Sequence, residues 1–169
     1  MTEQEIYTYF DNLTKAQNII KCFHVGYLDD LQGETLDSFY KTGKKKEYPI
    51  IVCAPPVSYP LVGDQDGKEN FNMSLYFLDT QQTKQNLDRK VLPLPAVWLS
   101  MVQVARDYWR QFRKDVYAGS TFNHEIELTD TRPQIDRVRD YGVDQLTGCR
   151  LDINFNMFTG CTIMTEFNV

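Results

Sequence analysis

Two histidines and four cysteines in 169 residues leave little material for metal or nucleophile chemistry, and their placement leaves less. Cys22, Cys53, Cys149 and Cys161 are scattered with no Cys-x-x-Cys pair, so the closely spaced ligands of a structural zinc site are missing. Cys22 and His24 are two apart; on a helix they would point about 200° from each other and share no metal. The thiols are expected to be buried and inert. No apolar run approaches the roughly 18 residues of a membrane span. The start, MTEQEIYTYF, is acidic and amphipathic instead of basic and then apolar, so no targeting segment is expected. Positive charge is scarce as well: 18 Lys and Arg stand against 23 Asp and Glu, a formal net charge of -5. A free-standing nucleic-acid binder would lean the other way, because its affinity comes from neutralising phosphates.

Motif chemistry is equally thin. There is no GxxxxGK followed by Ser or Thr, no GxGxxG, no GxSxG and no HExxH. Phosphate cradles, dinucleotide turns, serine elbows and zincin helices are therefore unsupported, and neither a cofactor nor an enzymatic activity is expected. The acidic run Gly63 to Glu69, which holds Asp64 and Asp66, imitates a calcium loop. With Asp66-Gly67 at positions five and six, however, positions one and twelve fall on Val62 and Met73, which cannot ligate. His124, expected on the inward face of a strand, could act as a base toward Cys149 on a neighbouring strand, but no third residue orients it, and a core histidine is the expectation.

What is present is a core. The chain is 42% hydrophobic and 13% aromatic, enough for one domain spanning residues 1–169. Thr2 and Glu5 form a capping box, and Ile6, Phe10, Leu13, Ala16, Ile20 and Phe23 recur at three and four, which predicts a helix to about residue 22. Val25 to Lys46 is read as an irregular connection with a helical turn around Leu36 to Tyr40. Tyr48 to Cys53 predicts a strand buried on both faces. Phe71, Met73, Leu75 and Phe77 alternate with polar neighbours as a half-buried strand, the second arm of a hairpin whose loop is 54–70. Ala96 to about Val116 predicts a long helix stopped by Gly119, with Trp98, Met101, Val102, Ala105, Tyr108, Trp109, Phe112 and Val116 on its apolar stripe. Arg106, Arg110, Arg113 and Lys114 gather beside that stripe as the one concentrated basic surface. Two more strands are expected over Phe122 to Leu128 and Cys149 to Met157, joined by a charged loop, 129–147. The tail from Phe158 to Val169 could add an edge strand. The order predicts an α+β sandwich, a mainly antiparallel four- to five-stranded sheet with two helices packed on one face.

The amphipathic first helix, the Tyr48-Pro49-Ile50-Ile51-Val52 strand leading to Pro55-Pro56, the alternating Asn72 to Asp79 strand, the VWLSMVQVARDYWRQF helix and the close Asp144-Gln145-Leu146-Thr147-Gly148-Cys149-Arg150-Leu151-Asp152-Ile153 together resemble the neck and tail-completion proteins of tailed bacteriophages, tail terminators and head–tail connector rings. The resemblance implies a tail-terminator-like fold and a structural virion protein: a ring of copies in the neck or tail, assembled in the host cytoplasm. Its partners would be its own copies and neighbouring portal, connector or tail proteins. DNA would pass through without specific binding, and no membrane would be involved. The long loops 54–70 and 129–147 would be arms to adjacent subunits. Subunit contacts are expected at Arg106, Arg110, Arg113, Lys114, Asp64, Asp66, Arg137 and Arg139, the basic helix face meeting acidic loops of the next copy. The alternative is a small cytoplasmic enzyme or regulatory binding domain with a pocket near residues 54–62.

Overall fold

The computed structural model describes residues 2–26, 48–55, 68–80, 94–141 and 146–158. Thr2 opens the first helix, α1 (Glu3–Lys15): its backbone N–H donates to the Glu5 carboxylate at 2.6 Å, one arm of the expected capping box. That bond, seconded by the Thr2 hydroxyl, holds the Glu5 carboxyl below its ordinary range. The helix stops at Lys15, well short of residue 22, and Gln17 supplies the reason. Its side-chain oxygen accepts from the N–H groups of Ile19 (2.8 Å) and Ile20 (3.1 Å), and its amide donates to the Thr14 carbonyl at 3.2 Å. Side-chain bonds thus replace the next helical turn. Ile20 and Phe23 still reach the core, but from a turn and from a strand, β1 (Cys22–Val25).

β2 (Ile50–Ala54) runs parallel to β1, with Cys22 opposite Ile50. Ile50 to Cys53 are all buried, as a strand closed in on both faces requires. β3 (Lys68–Asp79) pairs antiparallel with β2 and, along its whole length, with β6 (Leu146–Phe158). The far side of β6 is shared by β4 (Ile126–Leu128), which pairs with its C-terminal half, and β5 (Ile135–Tyr141), which pairs with its N-terminal half. The sheet is therefore six-stranded and mixed, in the order β1-β2-β3-β6-β4 with β5 also on β6. The α+β class stands, and so does mainly antiparallel pairing, since four of the five strand pairs run that way; the sheet has six strands where four or five were expected, and a parallel pair, β1 with β2, lies at one edge.

Three expected loops and turns change character. Ala54 belongs to β2 and Lys68 to Asn70 to β3, so only the 55–67 part of the first arm remains, and residues 56–67 lie outside the described residues. Within 129–147, residues 135–141 are β5. Asp136, Arg137 and Arg139 masked it, for charged side chains suit a strand at a sheet edge; Ile135 packs toward the main core and Val138 toward the opposite face. Leu146 and Thr147, at the end of that expected loop, and Gly148 already belong to β6. The expected helical turn around 36–40 and the tail after Phe158 lie outside the described residues.

The second helix, α2 (Leu94–Ala118), ends at Gly119, whose φ of 68° is the left-handed stop. Both helices lie on one side of the sheet. Ile6, Tyr7 and Phe10 of α1 and Val97, Met101, Val104, Ala105, Tyr108, Phe112 and Val116 of α2 share one core with Phe71, Met73, Leu75, Phe77, Cys149, Leu151, Ile153 and Phe155. Trp98, Val102 and Trp109 are only half-buried, because Val97 and Val104 turn the buried stripe away from the tryptophans. On the other side of the sheet a smaller apolar cluster, Ile50, Val52, Tyr76, Leu78, Val138 and Leu146, occupies one end. No helix among the described residues is long and apolar enough to cross a membrane.

Candidate functional site

The outward side of α2 carries the residues singled out in sequence. Arg106, Arg110, Arg113 and Lys114 are all exposed. Arg110 pairs with Asp107 at 3.1 Å, and the Arg113 guanidinium stacks 5.4 Å from the centroid of the Tyr117 ring. Two residues that sequence reasoning left out complete the surface: Leu99 is 67% exposed and Tyr117 60%. Leu99, Gln103, Arg106, Arg110, Arg113 and Tyr117 follow one another at spacings of four, three, four, three and four, so they form one stripe along the helix. It extends about 27 Å at 1.5 Å per residue. Its signal was in the sequence, as the same period that marks the buried face, offset to the opposite side.

Arg137 and Arg139 are exposed on β5. The Arg137 guanidinium lies 5.3 Å from the Trp98 ring centroid, and the Trp98 indole N–H donates to the Val138 carbonyl at 3.1 Å. These contacts hold Arg137 at the N-terminal end of α2, away from Arg106, Arg110, Arg113 and Lys114. Asp64 and Asp66 lie outside the described residues, as does most of the pocket expected at 54–62.

The sheet face away from the helices is polar at the end opposite its apolar cluster. The Asn70 amide donates to Asn154 (2.9 Å) and Asn156 (3.2 Å), and Asn156 donates in turn to Glu127 at 3.2 Å. That bond, with Lys68 nearby, keeps the Glu127 carboxyl below its usual range. Ser74 donates to Asp152 at 2.6 Å, and Arg150 bridges Asp136 (2.9 Å) and Asp152 (3.1 Å). Burial works to lower the Arg150 pKa, but hydrogen bonding with Tyr76 and the two carboxylates outweigh it and leave it raised. Polar groups here are largely spent on one another.

The nucleophile pair does not form. His124 sits in an exposed turn at φ 60°, not on a strand, and its ring packs over Gly119. Cys149 is buried in the helix-side core, its thiol pushed up to about 12 by burial. Ile126 pairs with Met157, eight residues along β6 from Cys149, or roughly 26 Å at strand rise. Cys22 and His24, expected to diverge on a helix, instead share one side of β1. No group of three or more His, Cys, Asp or Glu fit to hold a metal occurs among the described residues.

No family model matches this chain, and no curated protein matches it.

Proposed function

We propose that this chain is a structural ring subunit in the neck or tail of a tailed bacteriophage virion, joining head to tail and letting DNA pass. The reading is carried by one observation: in a chain of net charge -5, cations concentrate on the outer side of α2 between two exposed apolar side chains. A surface divided in this way suits contact with other copies and with portal, connector or tail neighbours better than turnover of a small substrate. The polar sheet face supports the same reading. Its amides bond one another and its Arg150 cation is held between two carboxylates, so it presents no free cationic grip to a passing phosphate backbone, and the acidic net charge repels that backbone at long range. No catalytic step and no cofactor belong to this role.

The experiment is the protein content of purified particles, read by mass spectrometry, beside electron microscopy of the isolated protein. The chain is expected in particles at many copies, and as rings once concentrated or mixed with its neighbours. Particles that lack it overturn the proposal.

A further inference from the structure

Resting on the reading of the chain as a self-assembling subunit, we infer that the outer stripe of α2 docks onto a different surface of a second copy of this chain, with Leu99 and Tyr117 as apolar anchors around a cationic middle.

Charge decides the partner. Arg106, Arg110 and Arg113, with Lys114 and Asp107 on the flank, give the stripe and its border a formal +3. The whole chain carries -5, so the rest of each copy carries -5 minus +3, or -8. A second copy therefore offers a large opposite net charge outside its own stripe, away from local cations such as the exposed Arg132, Arg137 and Arg139. Charge also decides the mode. Two stripes facing each other across a two-fold axis would bring four cations against four, so the contact is heterologous, and a heterologous contact closes into a ring or runs on as a filament.

The ends of the stripe argue for protein and against nucleic acid. Leu99 and Tyr117 are the most exposed large apolar side chains described, at 67% and 60%, and a phosphate backbone offers neither of them an apolar surface. Asp107 flanks the stripe at mid-length, where it neutralises Arg110 and would repel phosphate. A protein surface with acidic groups between apolar ones satisfies all six positions, and the Arg113–Tyr117 stack holds one anchor ready with its side-chain freedom already reduced.

Sedimentation velocity and light scattering on the full chain test this, with circular dichroism establishing that each variant is folded. The variants are Leu99→Ser with Tyr117→Ser, the charge reversal R106E/R110E/R113E, and the conservative R106K/R110K/R113K. The wild type is expected to grow past a dimer with concentration and to shrink with added salt. The Ser pair is expected to weaken association at least tenfold, the Glu triple to abolish it, and the Lys triple to retain most of it. Four results overturn the inference: a wild type that stays monomeric, one that stops at a closed dimer, Ser and Glu variants that assemble undiminished, or binding of a 20-base-pair duplex that the Glu triple loses while mass never changes. The two readings fail separately. Rings formed through the stripe by a chain absent from particles leave this contact standing and sink the virion role; particles that take up the Glu triple as readily as wild type do the reverse.

Discussion

Gly148 sits where β6 runs against β3, and a Cβ built on it would lie 1.8 Å from the Phe77 carbonyl oxygen. Backbone is the obstacle, so nothing can swing aside, and the strand would have to leave its ladder. Gly148→Ala is expected to lower unfolding free energy by about 3 kcal/mol or more, the range of severe overpacking, as measured by urea denaturation. Asp79 closes β3 opposite Thr147, and burial raises its pKa above the ordinary 3.8 although the Thr80 N–H pulls it the other way. A carboxyl raised in the folded state binds more protons folded than unfolded, so stability falls as pH climbs from the unfolded value through the folded one. Asp79→Asn keeps the Thr80 contact and removes the charge. It is expected to raise the melting temperature at pH 7 and to flatten the pH profile above about pH 4; an unchanged slope would show that Asp79 is solvated.

Gln17 carries the element scale. Its one side chain stops α1, shapes the turn into β1, and donates to the Tyr108 hydroxyl at 3.2 Å on α2. Tyr108 in turn donates to Thr14 at 3.1 Å, so the end of α1 is hydrogen-bonded to the middle of α2. Farther along, the Tyr9 hydroxyl donates to Asp115 at 2.8 Å, and burial together with that carboxylate pushes the phenol far above its ordinary pKa. Gln17→Ala takes the acceptor from the part-buried Ile20 N–H, leaves that of the exposed Ile19 to water, and removes the link to Tyr108. The expected cost is about 1–3 kcal/mol, with amide exchange quickened at Ile19 and Ile20 more than in β3. Uniform quickening across the sheet would mean that Gln17 holds the whole fold and not the turn.

Phe112 joins the layers. Its ring lies 5.3 Å from Phe10 of α1, 5.8 Å from Phe122 after α2 and 5.7 Å from Phe155 of β6, so helix, helix, turn and sheet meet at one side chain. Phe112→Ala is expected to cost about 3–5 kcal/mol. Because every element shares that core, near- and far-ultraviolet dichroism are expected to be lost in one transition; two separate transitions would show that the layers unfold independently.

Local chemistry marked most of the elements. The Thr2–Glu5 box, the Gly119 stop and the alternation of Phe71 to Phe77 each depend on neighbours within a few residues, and each stands in the structure. So does the basic face of α2, since a helical period alone places Arg106, Arg110 and Arg113 on one side. Where local signals were ambiguous, partners decided. Ile20 and Phe23 fit a helical period, but Gln17 ends α1 and hydrogen bonding to β2 makes Cys22 to Val25 a strand. The charges of residues 135–141 read as loop until β6 supplied a ladder for them. Leu99 and Tyr117 were apolar residues like any others until the sheet took the opposite side of α2 and left them in solvent. Sequence alone determined where α1 begins, where α2, β2 and most of β3 and β6 run, and which side of each helix was apolar, while β1 and β5 escaped it. The tertiary structure decided which apolar side chains were covered, because burial belongs to the pairing of elements, and that remainder is the surface on which the proposed assembly rests.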